Sequence, residues 1–316
     1  VLRQLSTSAA GLEALVMPER GGLPDVPWID ASDAGDAELG AAGRTLGLSD
    51  AVVRWLGDPR RSVRPRVIDD AVAFVLAVPA IDRASSVAAD DALVAVAITS
   101  GRACTAHSAA ADDVIADVAR RVASGPVPDH ALAAALSLID RTIERYDEVV
   151  EVLGASQEVH AADIADADRR STPKEIVSEG LRLATRISEV QRGVRGLRHA
   201  LVALRPFSAR ADDVTEAAFD SSWRALDALD ADLDILSHRL EVTTDAQLSL
   251  LSARQAEINK RIGAWAGVFA VNAVITGWYG MNIRGLPGAG SWVTVAILMA
   301  VVSLALIMLL RRIDWL

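Results

Sequence analysis

Few residues in this sequence are of a type and spacing that could make or break covalent bonds. A single cysteine, Cys104, excludes a disulfide framework and a cysteine-based metal site. The histidines (His107, His130, His160, His199 and His238) are scattered and form no H-x-x-x-H pair. There is no phosphate-cradling glycine loop and no nucleophile elbow, so an enzyme reading finds no support. The polar group that stands apart is the carboxamide of Asn282, at the end of Tyr279-Gly280-Met281-Asn282. Its chemistry is hydrogen bonding without charge: an amide oxygen accepts and an amide nitrogen donates.

The elements on either side explain why that amide matters. Ile262 to Trp278 leads into the tetrad and Trp292 to Leu310 follows it after a short loop, and neither stretch contains a charged residue. Each is long enough to cross a hydrocarbon core as a helix, which takes roughly 17–25 residues. Only helices and closed barrels satisfy their own backbone in lipid, so the reading is a helical hairpin with the tetrad at its turn. Lys260 and Arg261 precede the first span, Arg311 and Arg312 follow the second, and the loop between carries only Arg284. Basic residues mark the cytoplasmic side, which places both termini inside the cell membrane and the tetrad outside. Trp278, Tyr279, Trp292 and Trp315 fall near the span ends, at headgroup depth. A mere anchor has no need of Asn282 at a tight Gly turn, nor of Gly263, Gly267, Asn272 and Gly277 within its first span. Small residues let membrane helices approach closely, so the first span is expected to pack against copies of itself.

The remainder is a water-soluble body. The chain has 316 residues and a formal charge of −10, which argues against nucleic acid as a partner and suits a body surrounded by cations. No apolar segment opens the sequence, so no signal peptide is expected. Up to about residue 127, short apolar runs alternate with turn signals. Strands are expected at Leu12 to Met17, Pro27 to Asp30, Val67 to Val78, Leu93 to Ile98 and Ala103 to His107, with short helices from Asp36 to Leu56 and another from Ala109 to Ala123. This is an α/β domain.

From residue 128 the pattern is helical. Asp129 caps a helix running to about Asp168, with apolar positions from Leu132 to Leu153 and an acidic face of Asp140, Glu144, Asp147, Glu148 and Glu151. Thr172-Pro173 opens the next. Its apolar positions (Ile176, Leu183, Ile187, Val190, Val194, Leu197, Leu201, Leu204) make a coiled-coil seam, its other face carries arginines, and Pro206 is expected to end it. An acidic helix beside a basic one should pair antiparallel. Asp213-Val214-Thr215-Glu216 resembles a capping box. With no Pro or Gly before Gly263, one helix is expected from about residue 213 through the first span to about 279. At 1.5 Å per residue its length would be about 100 Å, far more than a bilayer's thickness.

Here the sequence resembles the CorA family of divalent-cation channels, over nearly its whole length. The resemblance is carried by Tyr279-Gly280-Met281-Asn282 between two terminal spans and by the tail Arg311-Arg312-Ile313-Asp314-Trp315-Leu316. Weaker agreements run upstream in order: Trp28-Ile29-Asp30, Gly47-Leu48, Arg64-Pro65-Arg66-Val67 and Ala103-Cys104-Thr105-Ala106-His107. The resemblance implies an α+β membrane protein, a CorA-like funnel assembled as a homopentamer in the lipid bilayer. Its parts would be a cytoplasmic α/β domain (1–127), an antiparallel helical pair (128–211), a stalk helix (212–261), a pore-lining span (262–279), an external loop (280–291), a second span (292–310) and a cytoplasmic tail (311–316). It implies transport of a divalent cation, Mg²⁺ first, with Co²⁺ and Ni²⁺ as further candidates. Tyr279, Gly280, Met281 and Asn282 would form the selectivity filter. Mg²⁺ dehydrates reluctantly, so a ring of Asn282 amides would act on the ion's water shell, as outer-sphere ligands. Met281 packs rather than coordinates, a thioether being a poor ligand for a hard cation. No cofactor is implied beyond Mg²⁺, as transported and regulatory ion.

Several positions depart from the family's pattern. Asp245 matches a stalk carboxylate that binds regulatory Mg²⁺, but the positions of its acidic partner hold Arg54 and Trp55, which cannot ligate a cation. Asp50, Asp58, Asp69 and Asp70 are the other acids in that region. The family's constriction residues correspond to Ala256, Asn259 and Ile262, and its Met-Pro pair to Ala270-Val271. Asn259, Ile262, Ala270 and Gly277 are therefore the pore and gate candidates, while Asn272 faces either the pore or a neighbouring helix. The loop from Ile283 to Ser291 contains no acid, only Arg284, which predicts slower conduction or a different ion. Two other functions fit the same residues: a zinc transporter of the superfamily, which more often reads Gly-Val-Asn, and a non-conducting, membrane-anchored coiled-coil scaffold.

Overall fold

A computed structural model describes residues 1–5, 12–14, 27–58, 64–80, 89–124, 130–165, 173–208, 212–280 and 292–315. They gather into two compact units, Val1–Glu241 and Val242–Leu316.

The first unit is built on a seven-stranded sheet of order β2-β1-β3-β7-β6-β5-β4. Its strands are β1 (Leu2–Leu5), β2 (Leu12–Ala14), β3 (Trp28–Ser32), β4 (Arg66–Ile68), β5 (Ala71–Ala80), β6 (Ala89–Thr99) and β7 (Arg102–His107). The pair β3–β7 is parallel and the other neighbours are antiparallel. Two of the hairpins turn within two residues. Asp69, at φ 54°, turns β4 into β5, and Gly101, at φ 80°, turns β6 into β7. β1 was not expected: four residues of mixed polarity carry no strand signal of their own.

The two-residue period of a strand divides the core. Trp28, Phe74, Leu76, Val94, Val96 and Ile98 face one side and join the long helices. Ile29, Ala31, Ala73, Val75, Ala95, Ala97, Cys104 and Ala106 face the other. There they pack with Leu39, Leu46, Val52, Trp55 and Leu56, from α1 (Asp36–Leu46) and α2 (Asp50–Gly57). Alternation sends successive side chains to opposite faces, so one strand serves both layers.

A charged cluster ties β1 to the centre of the sheet. Asp30 has no solvent exposure. Its carboxylate accepts from Arg3 Nε at 2.9 Å and from Arg3 Nη2 at 2.7 Å, and also from the Thr105 hydroxyl. His107 Nε2 lies 2.9 Å from the same carboxylate and His107 Nδ1 lies 2.7 Å from the Ser108 carbonyl. Both ring nitrogens therefore face acceptors, which only the doubly protonated imidazolium satisfies. Burial alone would lower the His107 pKa. The Asp30 hydrogen bond and charge, the Ser108 carbonyl and the charge of Asp112 outweigh burial and raise it. Asp112, from α3 (Asp112–Ser124), takes the third bond from Arg3.

The other face of the sheet is covered by α3, α4 (His130–Ala165) and α5 (Pro173–Ser208). All eight apolar positions of the α5 seam are buried. Helices α4 and α5 are antiparallel neighbours: Tyr146 lies against Gly193, and His160 against Gly180. Their charged faces are salt-bridged to other helices. Glu144 of α4 meets Arg121 of α3, and Arg198 of α5 meets Asp227 and Asp230 on α6 (Asp213–Gly280). The seam side of each helix is apolar, so the charged sides turn away from the α4–α5 contact. Pro206 does not end α5, which continues to Ser208. The cap of α6 is Asp212, not Asp213: its carboxylate accepts from the Thr215 amide at 3.1 Å and from the Thr215 hydroxyl.

Two tests follow from this packing. A Cβ at Gly193 would lie 1.8 Å from the Tyr146 hydroxyl oxygen, whereas one at Gly154 meets nothing within 4 Å. Gly193→Ala should destabilise the protein by about 1–3 kcal/mol in chemical denaturation, as overpacking does. Gly154→Ala should stabilise it by about 0.5–1 kcal/mol, because alanine loses less backbone entropy in a helix. The second test concerns pH. The folded pKa of His107 lies above its unfolded value, so its contribution is complete below about pH 6.5 and is lost as pH rises through the folded pKa. The Tm advantage of the wild type over His107→Gln, measured on the full chain in detergent, should therefore shrink as pH rises above about 6.5.

Candidate functional site

The second unit contains the part of α6 from Val242 onward, together with α7 (Trp292–Arg312). Both α6 and α7 contain a stretch long and apolar enough to cross a membrane. No residue of α7 is buried within the chain, and Ile297, Val301, Leu304, Met308 and Leu309 stand exposed on it. That surface is what lipid or other copies would cover.

Within this unit α6 has one covered face. Ala264 and Val268 are buried, and Asn272, Ile275 and Tyr279 are half-buried. The cover is α7. Asn272 Nδ2 donates to the Ser303 hydroxyl at 2.8 Å, and that hydroxyl donates to Asn272 Oδ1 at 3.1 Å. One turn on, the Thr276 hydroxyl lies 3.7 Å from Met299 Sδ. Positions 272 and 276 meeting 303 and 299 in reverse order make the hairpin antiparallel. Between the two faces open to Asn272, it takes the neighbouring helix.

The four pore and gate candidates lie elsewhere on α6. Asn259, Ile262, Ala270 and Gly277 are all exposed in the single chain. At about 100° per residue they cluster on one side, roughly 170° around the helix from the face that Ala264, Val268, Asn272, Ile275 and Tyr279 turn to α7. Ala266, Ala273 and Gly280 share that side, so above Ile262 it is lined by small residues. The glycines are not spent on α7: a Cβ at Gly263, Gly267, Gly277 or Gly280 would meet nothing within 4 Å. Of the tetrad, Tyr279 and Gly280 end α6, while Met281, Asn282 and Arg284 lie outside the described residues.

Asp245 is exposed on α6. In the first unit Trp55 is buried against the sheet, its Nε1 without a hydrogen-bond partner among the described residues. Arg54 is exposed, its Nε donating to the Asp50 carbonyl of its own helix. Neither presents a ligand. Among the described residues no three His, Cys, Asp or Glu side chains gather as a metal site.

One acidic feature was not foreseen. A cleft of about 470 Å³ in the first unit is lined by Arg121, Asp140, Glu144, Asp147 and Asp232. Burial raises the Asp140 pKa, partly opposed by a hydrogen bond from Ser222. The Arg121 guanidinium holds Glu144 below the usual carboxylate range, with help from Arg141. The acids of α4 were visible as a helical stripe, but Asp232, far away in sequence, had no signal linking it to them.

Comparison with known proteins bears on these features. The family model described as CorA-like Mg2+ transporter protein matches residues 25–312. A curated protein, divalent cation transporter CmaX of Pseudomonas aeruginosa, is 22% identical over 222 residues, covering 64% of this chain and 61% of its own length. Among solved structures, the CorA magnesium transporter of Methanocaldococcus jannaschii superposes with a TM-score of 0.75 at 19% identity, covering 100% of this chain and 98% of that one. Full-length CmaX gives 0.65 at 18% identity, over 99% and 97%. The ZntB cytoplasmic domain of Vibrio parahaemolyticus gives 0.59 at 10%, over 80% and 97%. At these identities the structural likenesses establish the fold.

The geometry predicts which positions one chain protects. In a Cys104→Ser background, cysteine placed at Ala264 or Val268 should react with a small hydrophilic thiol reagent at least about tenfold more slowly than cysteine at Ala270 or Gly277, measured on protein in lipid vesicles; reactivity follows access to the thiolate.

Proposed function

The chain belongs to the CorA-like Mg2+ transporter family, and on that premise we propose that it is a channel passing a hydrated divalent cation, Mg²⁺ first, through a pore shared by several copies. The observation that carries this reading is the two-faced first span. One face of α6 is covered by α7, and the opposite face, from Asn259 to Gly280, is exposed, narrow in side-chain volume and rich in Gly and Ala. A two-helix hairpin cannot enclose a conduit, so that face must meet other copies or the water between them. Small residues permit the close approach that this requires.

In this reading residues 262–279 line the pore, residues 292–310 surround it, and both termini are cytoplasmic. A homopentamer brings five Asn282 amides to the outer mouth. There they accept hydrogen bonds from the ion's water shell, and Gly280 supplies the turn that presents them. Asn259 and Ile262 form the inner constriction, an amide ring below an apolar one. Asp245 lacks an acidic partner at positions 54 and 55 for a regulatory Mg²⁺. Arg54 and Trp55 offer it no ligand, and Asp50 and Asp58 lie at the two ends of α2 rather than beside one another.

Purified protein in vesicles, loaded with a Mg²⁺-sensitive dye, tests the reading. Mg²⁺ uptake should be driven by an inside-negative potential, blocked by cobalt hexaammine, a mimic of hydrated Mg²⁺, and reduced at least about tenfold by Asn282→Ala, since a filter amide acts directly on the permeating ion. Equal uptake by wild type and Asn282→Ala would remove the filter from the account. Uptake of Zn²⁺ without Mg²⁺ would move the chain to the zinc-transporting reading.

A further inference from the structure

Asn272 and Ser303 sit in the middle of the two apolar stretches, and nothing in the filter or gate uses them. Their hydroxyl and amide lie within hydrogen-bond distance through both amide atoms. The second amide hydrogen of Asn272 goes to the Val268 carbonyl at 2.9 Å, so the side chain is satisfied on every polar atom. The Thr276 hydroxyl donates to the Asn272 carbonyl at 2.9 Å and turns its free side to Met299. This short polar row follows the α6–α7 seam. The flanks of the seam are apolar: Trp265 and Phe269 on one side, Val271, Val274 and Trp278 on the other, all exposed in the single chain.

We propose that the Asn272–Ser303 pair is a rotational lock for the pore helix. It rests on the channel reading and adds to it the residues that position the lining. Apolar contacts between membrane helices are poor at choosing a rotation, because lipid tails are as apolar as the side chains they replace. A hydrogen-bonded pair at mid-depth chooses one. Turning α6 by one residue's worth, about 100°, would leave the amide facing hydrocarbon or a neighbouring helix without its partner. With the pair closed, Asn272 points away from the conduit, and Ala266, Ala270, Ala273 and Gly277 take the opposite side. Asn272 and Ser303 are thus positioning residues that touch no ion.

The test uses the full chain in vesicles, in a Cys104→Ser background, with cysteine introduced at Ala270 or at Val271. In the parent, cysteine at position 270 reacts faster than at 271 with a hydrophilic reagent. Asn272→Leu and, separately, Ser303→Ala should each lower the 270-to-271 labelling ratio by about threefold, the size of one interhelical hydrogen bond in a membrane, and lower Mg²⁺ uptake in step. The exchanged pair, Asn272→Ser with Ser303→Asn, should restore both. A structural role alone would lower the amount of folded oligomer without moving the ratio. An unchanged ratio in Ser303→Ala, or an exchanged pair that behaves as the single variants do, overturns the lock. If instead cysteine at 270 is unreactive in the parent and Asn282→Ala leaves uptake unaltered, the channel reading falls, and the lock falls with it.

Discussion

A backbone that leaves water must take its hydrogen bonds with it, and in this chain α6 is where that constraint falls. From Asp213 to Gly280 every interior N–H finds its partner four residues back. The helix can therefore change environment without unpairing its main chain. What changes along it is the outer surface. In the first unit its apolar residues (Phe219, Leu226, Leu229, Leu233, Leu236, Leu240) are buried, and Asp227 and Asp230 remain outside to meet Arg198. Beyond Arg261 most of the large apolar side chains are instead exposed, Ile262, Trp265, Phe269, Val274 and Trp278 among them. One secondary structure thus serves two solvents, and only the side chains tell them apart.

The first unit solves a different problem, that of holding a short strand next to the edge of its sheet. β1 has four residues and could be lost without side-chain support. The Arg3–Asp30–His107 cluster supplies it. A buried carboxylate is expensive unless it is paired and its lone pairs are used. Here four side-chain donors from three residues converge on Asp30, and the second acceptor for His107 is a main-chain carbonyl. The result is an ion cluster with complementary partners on β1, β3, β7 and α3, which specifies register where apolar packing alone could slip.

Long periodic segments were legible in the sequence, and short or cooperative features were not. The seam of α5 could be read because its apolar residues repeat over many turns and the packing obeys that period. The helix through the first span could be read because nothing in it breaks a helix. β1 could not be read, since the partner of its Arg3 is Asp30, 27 positions away in the sequence. The cap of α6 was misplaced by one residue because Asp212 and Asp213 are chemically alike and only the bond to Thr215 distinguishes them. The partners of Glu144 and Arg198 could not be read, because sequence shows a helix's charged face but not which third helix lies against it. At the candidate site, family resemblance nominated Asn259, Ile262, Ala270 and Gly277 one by one. That they share a single side of α6 is a consequence of helical geometry, and that this side opposes α7 needed the structure.

Asn272 shows why the same residue type can have opposite roles within one hairpin. In hydrocarbon a carboxamide must bind something, and its angular position on the helix decides what. At 272 the angle points to α7, and Ser303 consumes the amide's hydrogen-bonding capacity within the chain. An asparagine on the opposite side has no such partner in its own subunit and is left for water, a second copy or a hydrated ion. Asn259, exposed and on that side, lies just before Lys260 and Arg261, at the charged end of the apolar stretch rather than within it. Apolar stretches that carry amides therefore have to be read by angle rather than by composition: those facing the hairpin partner hold the helix in place, and those facing away remain available for a ligand.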